Sequence, residues 1–194
     1  GQGVARAAKL FRCPATIVIP EDTLPAKREA IERDGARIVV RGMRSDERLA
    51  EAARIAEETG ATFVHAFDHP WIVAGQGTVA KEMLEDAPHL DALIVPVGGG
   101  GLVAGCALWA KAKNPRLRVY GVQPEGSDAM ARSLRAGRCV SVDTRATIAD
   151  GLRPSEPGRI PFQICAALLD GVLLVSDAEI ARIVDALDEV LAGL

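Results

Sequence analysis

A run of four glycines is the part of this sequence whose spacing is best suited to chemistry. Gly98, Gly99, Gly100 and Gly101 follow the apolar run 93–97 and precede the segment 102–113, which has apolar residues on one face. A strand that leads through glycines into a helix N-terminus is a general anion-binding arrangement. Glycine has no Cβ, so its N–H group can approach an oxyanion closely, and the helix dipole favours negative charge there. The pattern predicts a phosphate site.

Three phosphate ligands compete for this glycine loop, which we define as residues 98–101. A nucleoside triphosphate is disfavoured because no Lys-Ser or Lys-Thr pair follows the glycines. A dinucleotide fits the spacing Gly99-x-Gly101-x-x-Ala104, but Gln123 stands where the next strand should end in an acid. Because the spacing of the glycines fits, an NAD-binding oxidoreductase module remains an alternative even though the acidic residue is missing. A cofactor with a single phosphate monoester is the third candidate, and it needs no such acid.

The elements that must position the loop alternate between strand and helix along the whole chain. This alternation predicts an α/β fold made of βαβ units, with open parallel sheets and helices on both faces. A domain boundary is expected near residue 67, which gives domains 1–67 and 68–194. Gly75 and Gly77 lie inside a predicted helix, where glycine is unfavourable, so both are expected to mark close packing against backbone or a ligand. The predicted strands are 15–19, 36–40, 61–64, 91–97, 117–122 and 172–175.

Composition excludes several classes of function. The net charge of −3 and the scattered basic residues give no reason to expect nucleic acid. No apolar run approaches the roughly 20 residues that span a membrane, and the opening residues do not resemble a signal peptide. The four cysteines form no C-x-x-C pair, which favours a reduced, cytoplasmic compartment. Cys106 and Cys165 lie in apolar helical patterns and are expected to be buried, inert thiols.

Several motifs in order along the chain resemble one enzyme family. They are residues 74–78 (AGQGT), 96–102 (PVGGGGL), 147–151 (TIADG) and 175–180 (VSDAEI). Together they resemble the threonine/serine dehydratase and serine racemase family, which are pyridoxal-phosphate enzymes of fold type II, similar to the tryptophan synthase β subunit. The resemblance covers nearly the whole chain. It implies a partial small domain at 1–67 and a partial large, phosphate-binding domain at 68–194, incomplete at both ends.

The resemblance also implies a cofactor site. Pyridoxal 5'-phosphate is the expected cofactor, and Gly151 is expected to lie beside its ring. The phosphate is expected to bind to the backbone of Gly98, Gly99, Gly100, Gly101 and Leu102. No catalytic residue is expected within this chain, because the lysine that binds the cofactor covalently lies upstream of Gly1 in the family. The five lysines present are expected on helix surfaces, and the chain is expected to be a middle fragment.

No metal site is expected. Cation-binding members of the family carry carboxylates where this chain has Gln123 and Ala129. His65, Asp68 and His69 form a combination that could bind a metal, but their position before Pro70 favours a strand end and a helix cap. Asp150 could act as a general base, although its place in a family motif favours a structural role.

The resemblance implies a lyase as the parent protein. The expected reaction is deaminating dehydration of L-threonine or L-serine to a 2-oxo acid and ammonia, with the isolated fragment inactive. Serine racemase activity is the alternative within the family, and an NAD-binding module or a non-catalytic relic are the alternatives outside it. The expected partner is a small amino-acid substrate, without nucleic acid or membrane, in a homo-oligomeric, cytoplasmic enzyme.

Overall fold

The computed structural model describes residues 1–42, 45–144 and 147–192. The chain consists of two compact units, Gly1–His65 and Ala66–Leu194. Their assignment to the small and large domains of complete family enzymes stays a prediction. In the described residues, the helices are α1 (Gln2–Phe11), α2 (Pro25–Arg33), α3 (Ser45–Thr59), α4 (Pro70–Asp86), α5 (Gly101–Lys113), α6 (Ala129–Ala136), α7 (Arg159–Leu168) and α8 (Asp177–Ala192). The strands are β1 (Thr16–Ile19), β2 (Arg37–Val40), β3 (Ala92–Pro96), β4 (Arg118–Pro124) and β5 (Gly171–Val175).

The first unit is built on a parallel pair of strands. Strand β1 pairs with β2 in the register Ile17 to Ile38. Alternate residues of β1 face the core, where Ile17 and Ile19 pack with Ala5 of α1 and Ile31 of α2. Period-two burial of β-branched residues against helices is the expected pattern for a strand with one covered face.

The predicted strand at 61–64 is wrong. Residues 61–65 have no regular secondary structure, and Phe63 and Val64 are exposed. The apolar, β-branched composition of this run is suited to a strand, but a strand also needs a neighbour to which its backbone can hydrogen-bond. In the described residues the sheet of this unit consists of β1 and β2 alone.

The second unit contains a parallel sheet with the strand order β3-β4-β5. Val95 lies opposite Gly121, which lies opposite Val172. The core lies on the face of this sheet that carries Leu93 and Val95, where α5 packs. Helix α5 buries residues around most of its circumference and not on one face alone, because its glycine and alanine residues let neighbouring elements pack closely on several sides.

Close packing of α4 against α5 explains one of the two helical glycines. A Cβ at Gly77 would lie 3.0 Å from the carbonyl oxygen of Gly105, and a Cβ at Gly105 would lie 2.3 Å from that of Val73. The prediction of close packing is confirmed for Gly77. At Gly75 an added Cβ would meet no atom within 4 Å, so no protein contact accounts for this glycine. In the described residues, no helix is long and apolar enough to cross a membrane.

Candidate functional site

The glycine loop lies where strand β3 ends and helix α5 begins. Gly100 immediately precedes α5 and has φ of 96° and ψ of −4°, in the left-handed region that L side chains rarely adopt. A Cβ at this position would also lie 2.6 Å from Met130 Cε and 2.9 Å from Pro161 Cβ. Backbone conformation and packing therefore both require glycine at residue 100.

The N–H groups of this loop are buried donors without a hydrogen-bond partner in the described part of the chain. Gly99, Gly100 and Gly101 are buried. Within the described ranges, the N–H groups of residues 98–102 donate to no protein acceptor. The first N–H groups of a helix have no partner within the helix, whereas buried N–H groups are nearly always paired in folded proteins. Buried, unpaired donors at the N-terminus of α5 are suited to an oxyanion.

The side chain of Phe67 packs directly on the loop. A Cβ at Gly99 would lie 2.4 Å from the Phe67 ring, and a Cβ at Gly101 would lie 3.0 Å from Phe67 Cβ. These two glycines are therefore required by a neighbouring side chain of the protein itself. Phe67 is not predicted from the sequence, because a lone aromatic residue in a connecting segment carries no local signal of what it will contact.

Asp68, the residue after Phe67, attaches the connection before α4 to the N-terminus of α7. Its Oδ2 accepts a hydrogen bond from Arg159 N at 3.0 Å, and its Oδ1 accepts one from Ile160 N at 2.9 Å. The carboxylate thus caps the N-terminus of α7. The cap of α4 is His69, whose Nδ1 accepts from Trp71 N. The expected helix cap before Pro70 is confirmed at His69, while Asp68 serves α7.

The turn that carries Gly151 lies next to the glycine loop. A Cβ at Gly98 would lie 3.3 Å from the Gly151 carbonyl oxygen and 3.1 Å from Pro154 Cδ. Residues Asp150–Leu152 form a single turn of 3-10 helix, closed by the hydrogen bond from Leu152 N to Ala149 O at 2.9 Å. The structure therefore brings together two sequence motifs that lie about fifty residues apart.

Known proteins of one family match this chain over most of its length. The family model of the pyridoxal-phosphate dependent enzymes matches residues 1–190. The chain belongs to this family. The L-threonine ammonia-lyase of Thermotoga maritima is 42% identical over 180 residues, which are 93% of this chain and 45% of that protein. The serine racemase of Oryza sativa subsp. indica is 41% identical over 174 residues, which are 90% of this chain and 51% of that protein.

The fold is that of fold type II pyridoxal-phosphate enzymes. The structure of maize serine racemase matches with a TM-score of 0.88 and 39% sequence identity, and the match covers 93% of this chain and 55% of that one. The predicted α/β class with parallel sheets is confirmed. The chain spans about half the length of the curated relatives it matches.

The residues present fit the cofactor of this family. The phosphate of pyridoxal 5'-phosphate is a compact anion, and the buried, unpaired N–H groups at the start of α5 are donors suited to it. No side chain at positions 98–101 can block the approach, since all four are glycine. The glycine loop and the first amide of α5 could hold the phosphate, and the backbone of Gly151 could lie beside the ring.

Gln123 has a different task from that of a metal ligand. The side chain is 1% exposed. Its Nε2 donates to Val97 O at 3.2 Å, and its Oε1 accepts from Ala131 N at 2.9 Å. The amide therefore joins the residue before the glycine loop to the first turn of α6. Among the described residues, no cluster of three His, Cys, Asp or Glu side chains could hold a metal ion.

The two buried cysteines of this chain are unsuited to act as nucleophiles. Burial raises the pKa of the Cys165 thiol to about 12, and burial also raises the pKa of Cys106, so both are protonated at neutral pH. The lysines lie on helices, as expected. Lys81 pairs with Glu85 at 2.8 Å, and Lys111 pairs with Asp170 at 2.8 Å. The Lys81 side chain is 42% exposed, as expected on a helix surface, whereas the Lys111 side chain is only 17% exposed.

Proposed function

We propose that the protein to which this chain belongs is a pyridoxal-phosphate-dependent ammonia-lyase that converts L-threonine or L-serine to a 2-oxo acid and ammonia. The observation that carries the proposal is the set of buried, unpaired N–H groups in the glycine loop. This site is suited to a phosphate monoester. The proteins that share the sequence around it include L-threonine ammonia-lyases at 42% identity.

The proposed roles of this chain are binding and orientation. The N–H groups of residues 98–102 hold the phosphate, and the backbone at Gly151 lies beside the ring. Phe67 packs on Gly99 and Gly101 and excludes water from that side of the loop. Bound pyridoxal phosphate supplies an electron-withdrawing ring that stabilises negative charge at the Cα of an amino acid. Removal of the Cα proton needs a base outside this chain, so the isolated chain is proposed to be inactive.

A serine racemase is the second candidate. The serine racemase of Oryza sativa is 41% identical to this chain, and the maize serine racemase has the matching fold. Both reactions begin with loss of the Cα proton, so the glycine loop serves either. The fate of the β-hydroxyl distinguishes them. A small amino acid is the proposed substrate in both cases, and a homo-oligomeric, cytoplasmic enzyme without a metal ion at Gln123 remains our proposal.

Cofactor binding by the 194-residue chain tests the site. We expect saturable, non-covalent binding of pyridoxal 5'-phosphate in equilibrium dialysis, with competition by inorganic phosphate and no comparable binding of NADH. Gly100→Ala should weaken binding at least tenfold. Gly3→Ala is the matched control, because a Cβ there meets no atom within 4 Å. A wild-type chain that folds, as judged by circular dichroism, and binds no pyridoxal phosphate would contradict the proposal.

Product analysis of the complete protein tests the reaction. Incubation with L-threonine and L-serine should release ammonia and a 2-oxo acid in equal amounts. D-Serine as the main product from L-serine would favour the racemase, and NADH oxidation without ammonia release would favour the oxidoreductase module. A complete protein that binds the cofactor and transforms neither amino acid would be a non-catalytic relic.

A further inference from the structure

The turn beside the glycine loop is held by a carboxylate from a different part of the chain. Asp177 is the first residue of α8, and only Ser176 separates it from β5. Its Oδ1 accepts a hydrogen bond from Thr147 Oγ1 at 2.5 Å, and its Oδ2 accepts one from Ile148 N at 3.2 Å. Both oxygens of one carboxylate are therefore used by two consecutive residues.

Thr147 transmits this attachment to the turn. The residue is 4% exposed. Its Oγ1 also accepts a hydrogen bond from Ala149 N at 3.2 Å, and its carbonyl oxygen accepts one from an Arg153 guanidinium nitrogen at 2.9 Å. These bonds lie on both sides of the 3-10 turn that places the Gly151 carbonyl next to Gly98. The turn is thus attached at its start to Asp177 and closed across its end by Arg153.

Helix α8 does not need Asp177 as its cap. Ser176 and Glu179 form a reciprocal capping box, in which Glu179 Oε2 accepts from Ser176 N at 2.8 Å and Ser176 Oγ accepts from Glu179 N at 3.3 Å. The hydrogen bond from Ser176 N lowers the pKa of Glu179. Since Ser176 and Glu179 satisfy the helix end, the carboxylate of Asp177 is available to the turn at 147–152.

We propose that Asp177 is a positioning residue for the cofactor site, which holds the Gly151 carbonyl beside Gly98 through Thr147 and the Ile148 amide. The inference rests on the proposed function, because it assigns the turn to the ring side of the cofactor and the glycine loop to its phosphate. It explains why the segments 147–151 and 175–180 have complementary side chains although they lie far apart in the sequence. Loss of the carboxylate weakens the contact with the ring and leaves the phosphate contact in place.

Hydrogen–deuterium exchange of the 194-residue chain measures the attachment directly. Asp177→Ala should speed exchange of the amides at 148–152 at least tenfold, while the amides of β3 are unchanged. Asp177→Asn keeps one acceptor oxygen and should give an intermediate increase. Glu179→Ala is the matched control on the same helical turn, because it removes the capping box and leaves Thr147 untouched. It should speed exchange at 176–180 only.

Affinity for two probes distinguishes positioning from a general loss of structure. Asp177→Ala should raise the Kd of pyridoxal 5'-phosphate at least fivefold and change the Kd of inorganic phosphate less than twofold. Thr147→Ser, which keeps the hydroxyl, should bind like wild type, whereas Thr147→Val should bind like Asp177→Ala. Equal loss of affinity for both probes, or the same loss in Glu179→Ala, would overturn the inference.

The failure of this inference differs from the failure of the proposed function. A wild-type chain that binds pyridoxal phosphate, together with an Asp177→Ala variant of the same affinity, would overturn the role of Asp177 alone. A folded wild-type chain without affinity for pyridoxal phosphate would overturn both.

Discussion

Single residues around the glycine loop owe their identity to close contacts with the protein itself. Gly99 and Gly101 face Phe67, Gly100 has a positive φ, and Gly98 faces the Gly151 turn. Close packing or backbone conformation therefore favours glycine at each of the four positions, in addition to the space that a ligand would need. The two reasons agree, because the same close packing that excludes a Cβ also buries the N–H groups that a ligand would satisfy.

Gln123 provides a prediction at this scale. Gln123→Glu replaces the donor to Val97 O with a carboxylate oxygen, so a buried carbonyl loses its partner and a charge is buried beside it. We expect a loss of about 1–3 kcal/mol in the free energy of unfolding at pH 8. Burial raises the pKa of a carboxyl group above its value in the unfolded chain. The deficit relative to wild type should therefore shrink as the pH falls to 5, because the protonated form can donate again.

Urea unfolding at both pH values measures this effect. Gln163→Glu is the control, since Gln163 is exposed on α7 and the same change there should alter stability by less than about 0.5 kcal/mol. A Gln123→Glu deficit that is unchanged or larger at pH 5 would contradict the assignment of Nε2 as the donor to Val97.

At the level of elements, contact between α4 and α5 is decided by glycines on both helices. Gly77 and Gly105 allow the two backbones to approach, whereas Gly75 lies on the same helix as Gly77 and faces open space. The sequence pattern cannot tell these positions apart. Both helical glycines of α4 were expected to mark close packing, and the structure confirms only one of them.

Alanine substitutions separate the two kinds of glycine. Gly105→Ala should destabilise the chain by about 1–3 kcal/mol, because its Cβ would lie 2.3 Å from Val73 O and 2.6 Å from Gly77 N, which are backbone atoms that cannot move aside locally. Gly75→Ala should stabilise it by about 0.5–1 kcal/mol through the higher helix propensity of alanine. Thermal and urea unfolding measure both changes, and destabilisation by Gly75→Ala would show that the helix surface there is not open.

At the scale of the whole molecule, strand β3 at the edge of the second unit's sheet has one buried and one exposed face. Leu93 and Val95 are buried, whereas Ile94 on the opposite face is 67% exposed. Leu173 lies on that same face, in register with Pro96 through Val122, and is 48% exposed. Parallel sheets are usually covered on both faces, and exposed apolar surface favours association.

Polar substitution on the exposed face should improve the behaviour of the isolated chain. We expect the double variant Ile94→Thr and Leu173→Thr to reduce concentration-dependent association in analytical ultracentrifugation, with a change in unfolding free energy of less than about 1 kcal/mol, since β-branched threonine suits a strand. Val95→Thr, on the buried face of the same strand, should cost about 1–3 kcal/mol. Unchanged association in the double variant would mean that another surface is responsible.

Local signals in the sequence were sufficient for much of the fold, whereas the cofactor role of the glycine loop stays a prediction. Apolar runs, helical periodicity and glycine or proline at element ends predicted the order of strands and helices, because these features depend on the nearest residues along the chain. The strand expected at 61–64 was wrong for the complementary reason, since strand formation depends on a partner that lies elsewhere.

The sequence by itself determined the α/β class and the family, because alternating apolar runs and several short motifs in order are properties of the chain alone. It also predicts a phosphate site at residues 98–101, because four glycines between a strand and a helix leave the N–H groups without shielding side chains. Only the tertiary structure decided which side chains surround that loop. Phe67 against Gly99, Asp68 on the N-terminus of α7 and Asp177 on Thr147 are contacts between residues far apart in the chain. Such contacts are set by the packing of whole elements, so no local pattern could reveal them.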